Sequence, residues 1–115
     1  MAVFEVNIWT VSKSKVRQHE ELMKRISQYE KANSEKFREQ KSFSYFSCWA
    51  GEQSPVGGRV AIWEYKSLTE MEKMYDRLKE DEEFNKMDEE WISLIETNSV
   101  RRYIWHEKNR NLWIE

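Results

Sequence analysis

The chain is poor in the residues that punctuate, cross-link or ligate. Its 115 residues include one cysteine, one proline, three glycines and two histidines. With no second cysteine, Cys48 forms no intramolecular disulfide, so the fold does not depend on an oxidising compartment and the cytoplasm is the expected location. Cys48 lies between Phe46 and Ala50 on one strand face and reads as a small buried hydrophobe rather than a reactive thiol. His19, His106 and Cys48 form no spaced ligand motif, so no metal and no cofactor is expected. Gly57-Gly58 precedes a strand pattern rather than a helix N-terminus, which excludes a phosphate-cradling loop. No run of about eighteen apolar residues occurs, and the N-terminus opens on a strand pattern instead of a basic segment followed by an apolar one. Neither a membrane span nor export is expected.

Charge of one sign is also lacking. Nineteen basic and 21 acidic residues leave a formal charge of only −2, so no global field recruits nucleic acid or an anionic membrane. The rings are not interleaved with basic side chains, which removes the single-stranded nucleic-acid reading as well.

What the chain does have is apolar surface on both faces of its strand-like stretches. In Phe4 to Trp9, the residues Phe4, Val6 and Ile8 alternate with Glu5, Asn7 and Trp9. Phe43, Tyr45, Ser47 and Trp49 alternate with Ser44, Phe46 and Cys48. Trp63 and Tyr65 alternate with Val60 and Ile62, and Tyr103 and Trp105 flank Ile104. Both faces therefore need covering.

Two amphipathic stretches separate these strands. The first is expected to run from Lys13 or Ser14 to Phe37, with Val16, Met23, Ile26, Tyr29 and Phe37 as its apolar stripe. The second starts at Ser67, an N-cap with Glu70 as its capping-box partner. Its stripe lapses over Lys79-Glu80-Asp81-Glu82-Glu83 and resumes at Phe84, Met87 and Trp91, which predicts a break near Asp81. Gly51 to Gly58 holds all three glycines and the proline and reads as a hairpin loop. The apolar tail Leu112-Trp113-Ile114 is expected to lie across a partner's edge or barrel mouth, with a frayed terminus as the alternative.

The order β-α-β-β-α-β, with right-handed crossovers, gives one α+β domain over residues 1–115. It is a ferredoxin-like four-stranded antiparallel sheet with the first and third strands central and the helices on one face. Helices on the aliphatic face (Phe4, Val6, Ile8, Phe46, Cys48, Val60, Ile62, Ile104) would leave the rings of Trp9, Phe43, Tyr45, Trp49, Trp63, Tyr65, Tyr103 and Trp105 exposed. At about 150–250 Å² per ring, even half of that surface forms a patch on the order of 600–800 Å². The largest patch of a typical monomer is about 300–600 Å². A homodimer with sheet packed face to face on sheet is therefore expected.

The layout resembles the dimeric α/β-barrel superfamily, which includes antibiotic-biosynthesis monooxygenase-like, NIPSNAP-like and haem-degrading families. The local stretch that carries the resemblance is Gly58-Arg59-Val60-Ala61-Ile62-Trp63-Glu64-Tyr65-Lys66-Ser67-Leu68. It is similar to the superfamily's third strand, with an aromatic, one residue, and then a serine at a helix start. Asn7 matches the first-strand asparagine that hydrogen-bonds in the pocket of haem-degrading members. Seven residues after Ser67, where those members carry a tryptophan and many monooxygenase-like members a histidine, this chain has Met74. No histidine stands between Phe84 and Asp88, where a haem ligand would fall. The resemblance thus implies a small-molecule enzyme, a cofactor-independent monooxygenase-like activity on an apolar or aromatic substrate, with haem chemistry disfavoured.

Asn7 is the candidate catalytic residue, because an amide both donates and accepts. Trp9, Tyr45, Ser47, Trp49, Trp63, Tyr65, Tyr103 and Trp105 are the candidate ligand-binding cage. Glu5 shares that face, as a base if burial raises its pKa or as an ionised rim carboxylate if wet. Two alternatives stay open: a non-catalytic small-molecule-binding module, and a structural homodimer whose rings fill the barrel.

Overall fold

The computed structural model describes residues 2–48 and 57–108. Trp49, most of the predicted hairpin loop and the Leu112-Trp113-Ile114 tail lie outside the described residues.

Among those residues the elements are β1 (Val3–Thr10), α1 (Val16–Ala32), β2 (Gln40–Ser47), β3 (Gly58–Tyr65), α2 (Leu68–Leu78), α3 (Glu82–Ser93) and β4 (Arg101–His106). The strands form one antiparallel sheet in the order β2-β3-β1-β4, so the first and third strands are central as expected. This is the ferredoxin-like α+β fold. The first helical stretch is divided. α1 ends at Ala32, the amide of Asn33 closes on the Tyr29 carbonyl at 2.9 Å, and a separate 3₁₀ turn covers Ser34–Phe37.

The second stretch breaks where its stripe lapses. Ser67 caps α2 by accepting from the Glu70 amide at 3.2 Å, and Asp81 caps α3 by accepting from the Phe84 amide at 3.0 Å. Asp81 also receives the Tyr29 hydroxyl at 2.5 Å and Lys36 Nζ at 2.9 Å, which ties the break to α1 and the turn that follows it. Arg77 adds a two-pronged bond to Glu39, at 2.8 and 2.6 Å, between α2 and the start of β2.

The expected assignment of sheet faces is reversed. The side facing the helices carries Val3, Glu5, Asn7 and Trp9 from β1, and opposite them Tyr65, Trp63, Ala61 and Arg59 from β3. Val3, Glu5, Asn7, Trp9, Arg59, Ala61 and Tyr65 are all buried. Phe4, Val6 and Ile8 lie on the other side, in register with Ile62 and Val60, and with Tyr103 and Trp105. Ile104 moves the opposite way. It stands across from Glu5, on the helix-facing side, at the edge strand.

The reversal has a physical cause. Apolar content alone sends the smoother, aliphatic face to the helices, but the helices bring polar groups that match the mixed face. Tyr75 of α2 donates to Glu5, and Glu20 of α1 accepts from Arg59 at 2.7 and 2.9 Å. Buried polar groups with partners of this kind cost little. Phe46, Tyr103 and Trp105 are left 54%, 43% and 56% exposed on the far side.

Candidate functional site

A cavity of about 120 Å³ lies between the mixed face of the sheet and the three helices. The sheet contributes Asn7, Trp9, Trp63 and Tyr65; α1 contributes Met23, Ile26 and Glu30. Met74 and Tyr75 of α2, and Phe84, Asp88 and Trp91 of α3, close the other walls. The volume is comparable to the roughly 150 Å³ engineered cavity that accepts benzene, which is room for one ring with a short substituent. Exposed residues in the lining, Ser27, Phe43, Asp88 and Arg102, mark where the space reaches solvent. A wider depression of about 540 Å³ outside α1 and α3 is open to solvent and is crossed by the Arg25–Glu90 surface ion pair.

Two lining amides have a buried oxygen with no hydrogen-bond partner, Asn7 Oδ1 and Gln40 Oε1. Asn7 is only 6% exposed and sits between Ala61 and Arg102 on the neighbouring strands. A buried acceptor left without a donor costs about 1–3 kcal/mol, which a ligand with an O–H or N–H group would recover. Gln40 reaches the same space through a bulge. Ser42 pairs with Glu64, but Gln40 pairs with Tyr65, so the extra residue Lys41 turns Gln40 onto the helix-facing side.

The ionisable groups divide into two sets. Behind the cavity floor, the Tyr65 hydroxyl donates to Glu5 Oε1 at 3.3 Å and the Tyr75 hydroxyl donates to the same oxygen. Burial, then nearby negative charge, pushes both phenols above their ordinary pKa, so both stay protonated as donors. Glu5 is 3% exposed and held by two rings. It is therefore not a wet rim carboxylate.

The second set has no such partners. Glu30, on α1, has no hydrogen bond or ion pair among the described residues, and burial pushes its carboxyl up to about 7. That value lies in the range where a carboxyl exchanges protons near neutral pH. Asp88, though exposed at the cavity mouth, is also raised by the desolvation of the packed wall beside it, with the Arg102 guanidinium acting in the opposite direction.

A separate polar cluster stands beyond Trp9. His19 is fully buried, its Nε2 accepts from Trp9 Nε1 at 3.0 Å, and its Nδ1 faces Glu20 at 3.4 Å. The Tyr45 hydroxyl also donates to Glu20, at 3.0 Å. Burial alone would raise Glu20, but hydrogen bonds from Arg59 and Tyr45 outweigh it and hold the carboxyl below its ordinary range. Every member is satisfied within the cluster, which makes it structural.

The predicted cage is therefore split. Asn7, Trp9, Trp63 and Tyr65 come together at the cavity. Tyr45 stacks on Trp9 with ring centroids 6.1 Å apart and belongs to the polar cluster instead. Ser47 is exposed opposite Arg59 near the end of β2, and Trp49 lies outside the described residues. Tyr103 and Trp105 stack on each other, 5.9 Å apart, on the opposite face. The sequence reading missed Glu30, Asp88 and Gln40. Glu30 follows Met23 and Ile26 at helical spacing and Asp88 falls between Phe84 and Trp91, so an acid inside an apolar stripe was the available signal. Gln40 gave none, because a bulge is invisible to strict alternation.

No family model matches the sequence, and no curated protein matches it. Solved structures do. A NIPSNAP family protein from Agrobacterium tumefaciens superposes with a TM-score of 0.74 at 19% identity, over 96% of each chain. What these likenesses share with the chain is the ferredoxin-like α+β fold, a four-stranded antiparallel sheet with its helices on one face. An uncharacterised NIPSNAP domain protein from Burkholderia xenovorans shares this fold at 11% identity and a TM-score of 0.65, over 94% of this chain and 96% of that one. SnoaB from Streptomyces nogalater, a cofactor-independent oxygenase, does so at 12% identity and a TM-score of 0.64, over 94% of each chain. Among the described residues no helix is long and apolar enough to cross a membrane, and no three His, Cys, Asp or Glu side chains are grouped to hold a metal.

Proposed function

We propose that the cavity between the sheet and the helices is a small-molecule site of the cofactor-independent oxygenase kind, acting on an apolar or aromatic substrate. The observation that carries this reading is the unpartnered, buried Oδ1 of Asn7 inside a ring-lined space. In this role Asn7 accepts a hydrogen bond from the substrate and orients it, while Trp9, Trp63 and Tyr65 hold its ring and exclude water. The fold shared with SnoaB, itself a cofactor-independent oxygenase, supports the reading. We place the protein in the cytoplasm, with residues 1–115 as one barrel protomer that pairs with a second copy.

That pairing uses the aliphatic face. In the homodimer Phe4, Ile8, Val60 and Ile62 interlock between the two sheets, and Phe46, Tyr103 and Trp105 are covered. The barrel between protomers is then a packed core, and the ligand sits inside each protomer. Oxygen uptake on a panel of hydroxylated monocyclic aromatics, with and without the Asn7→Ala substitution, tests the enzymatic reading. Turnover that falls at least 10-fold in the variant is expected. Full activity in the variant, or no uptake across the panel, contradicts it.

A non-catalytic binding module is the second reading. It is favoured by Met74, buried in the cavity wall at the position where the monooxygenase-like resemblance implies a histidine. It predicts thermal stabilisation by ligands of the same panel with no product formed.

A further inference from the structure

The two ends of the cavity differ in charge. At one end Asn7 pairs across the ladder with Arg102, whose guanidinium acts on Asp88 of α3, so positive and negative charge stand together. At the other end stand Glu30 and Gln40. α1 runs back along the sheet and finishes at Ala32, and β2 begins at Gln40, so the join between them brings the last turn of α1 and the first residue of β2 to the same end. There an unpaired carboxyl and an unpartnered amide oxygen share one space, with the Phe43 and Trp63 rings packed 5.1 Å apart in the same lining.

The titratable and charged groups that line the cavity with Glu30 are Tyr65 of β3, Tyr75 of α2, Asp88 of α3 and Arg102 of β4. The two phenols are spent on Glu5, and Arg102 stands at the far end. The Glu30 end therefore offers acceptors, negative charge and π-faces, and among the described lining residues no cation stands there to answer the charge. An ammonium group complements all three features, because it brings several N–H donors, a positive charge and an attraction to ring faces.

Resting on the small-molecule reading above, we propose that the ligand of this cavity is an arylalkylamine whose ammonium group is held by Glu30 and Gln40 Oε1. Its ring lies against Trp63, and the Asn7 end takes any hydroxyl on the ring. A bound cation also stabilises the ionised form of Glu30, which burial otherwise disfavours, so binding and deprotonation of Glu30 reinforce each other.

The test compares 2-phenylethylamine, 2-phenylethanol and phenylacetate, three probes of nearly one shape and different charge, by calorimetric titration of the full chain. At pH 8 the amine is expected to bind at least 10-fold more tightly than the alcohol, with the carboxylate weakest. The preference should shrink to near unity at pH 5, where Glu30 is protonated, and should vanish at pH 8 in Glu30→Gln. The pH series on the unmodified protein keeps the test decisive if the variant does not fold. Equal affinity for amine and alcohol, tighter binding of the carboxylate, or an undiminished preference in Glu30→Gln overturns the ammonium site and leaves the cavity as a ligand site. No binding by any of the three probes overturns the cavity reading along with it.

Discussion

The indole Nε1–H of Trp9 donates to Nε2 of the fully buried His19 at 3.0 Å. That single bond assigns the tautomer: Nε2 is the acceptor, so the neutral ring carries its proton on Nδ1, toward Glu20. Burial lowers the His19 pKa, and the neighbouring Glu20 offsets this only in part. Below the unfolded value of about 6.5 the unfolded chain therefore binds a proton that the folded chain resists. The His19 contribution is full above that pH and is lost as pH falls through 6.5 toward the lower folded value. Urea denaturation at pH 7.5 and 5.5 checks it. The stability difference between wild type and His19→Gln should narrow on acidification.

Trp9→Phe removes the donor while keeping an aromatic ring against Tyr45 and Trp91. It leaves His19 Nε2 buried without a partner, and a loss of about 1–3 kcal/mol is expected in the same assay at pH 7.5.

Glu30 has the opposite sign. Its folded pKa of about 7 lies above the ordinary value of 4.5, so the folded state holds its proton more tightly than the unfolded state. Its penalty is absent below 4.5 and grows as pH rises to about 7, reaching a magnitude on the order of 3 kcal/mol. Glu30→Gln should accordingly stabilise the ligand-free protein at pH 8 by about 1–3 kcal/mol and change little at pH 4.5. Equal effects at the two pH values would contradict the unpaired, half-buried carboxyl.

Asp81 both caps α3 and anchors Tyr29 and Lys36. Asp81→Ala should cost about 2–4 kcal/mol, and Asp81→Asn, which keeps a capping oxygen, clearly less. Equilibrium unfolding of the two variants side by side separates the cap from the anchor.

The exposed aliphatic face predicts a dimer in solution. Sedimentation velocity should give a homodimer at micromolar concentration, and a Phe46→Lys, Trp105→Glu double variant should give a folded monomer. Both side chains are more than half exposed in the protomer, so their replacement tests association rather than folding. A wild-type chain that stays monomeric at that concentration contradicts the pairing.

Connectivity was legible in the sequence because it rests on local signals. Ser67 with Glu70 marked the start of α2, and the lapse in the stripe marked the break at Asp81. The choice of face was not legible. Both faces of β1 carry large side chains, and what decides between them is the partner each polar residue finds after folding. Glu5 is satisfied by Tyr75, 70 positions away, and Arg59 by Glu20, 39 positions away. Alternation alone fixes Asn7 with Trp9 on β1 and Trp63 with Tyr65 on β3, and the register of Glu5 against Trp63 puts the two pairs on one face. Tyr103 and Trp105 were misjudged because the register of β4 against β1 pairs Tyr103 with Val6 and Trp105 with Phe4.

The central claim is that small aromatic molecules bind between sheet and helices, beside Asn7, and not on the open sheet face. Titration of phenol into ¹⁵N-labelled protein, followed at the indole N–H signals, tests it most directly. Saturable shifts at Trp9, Trp63 and Trp91, with Trp105 unmoved, are the predicted result. Shifts confined to Trp105, or no saturable shift at any of the four through the millimolar range, would contradict it.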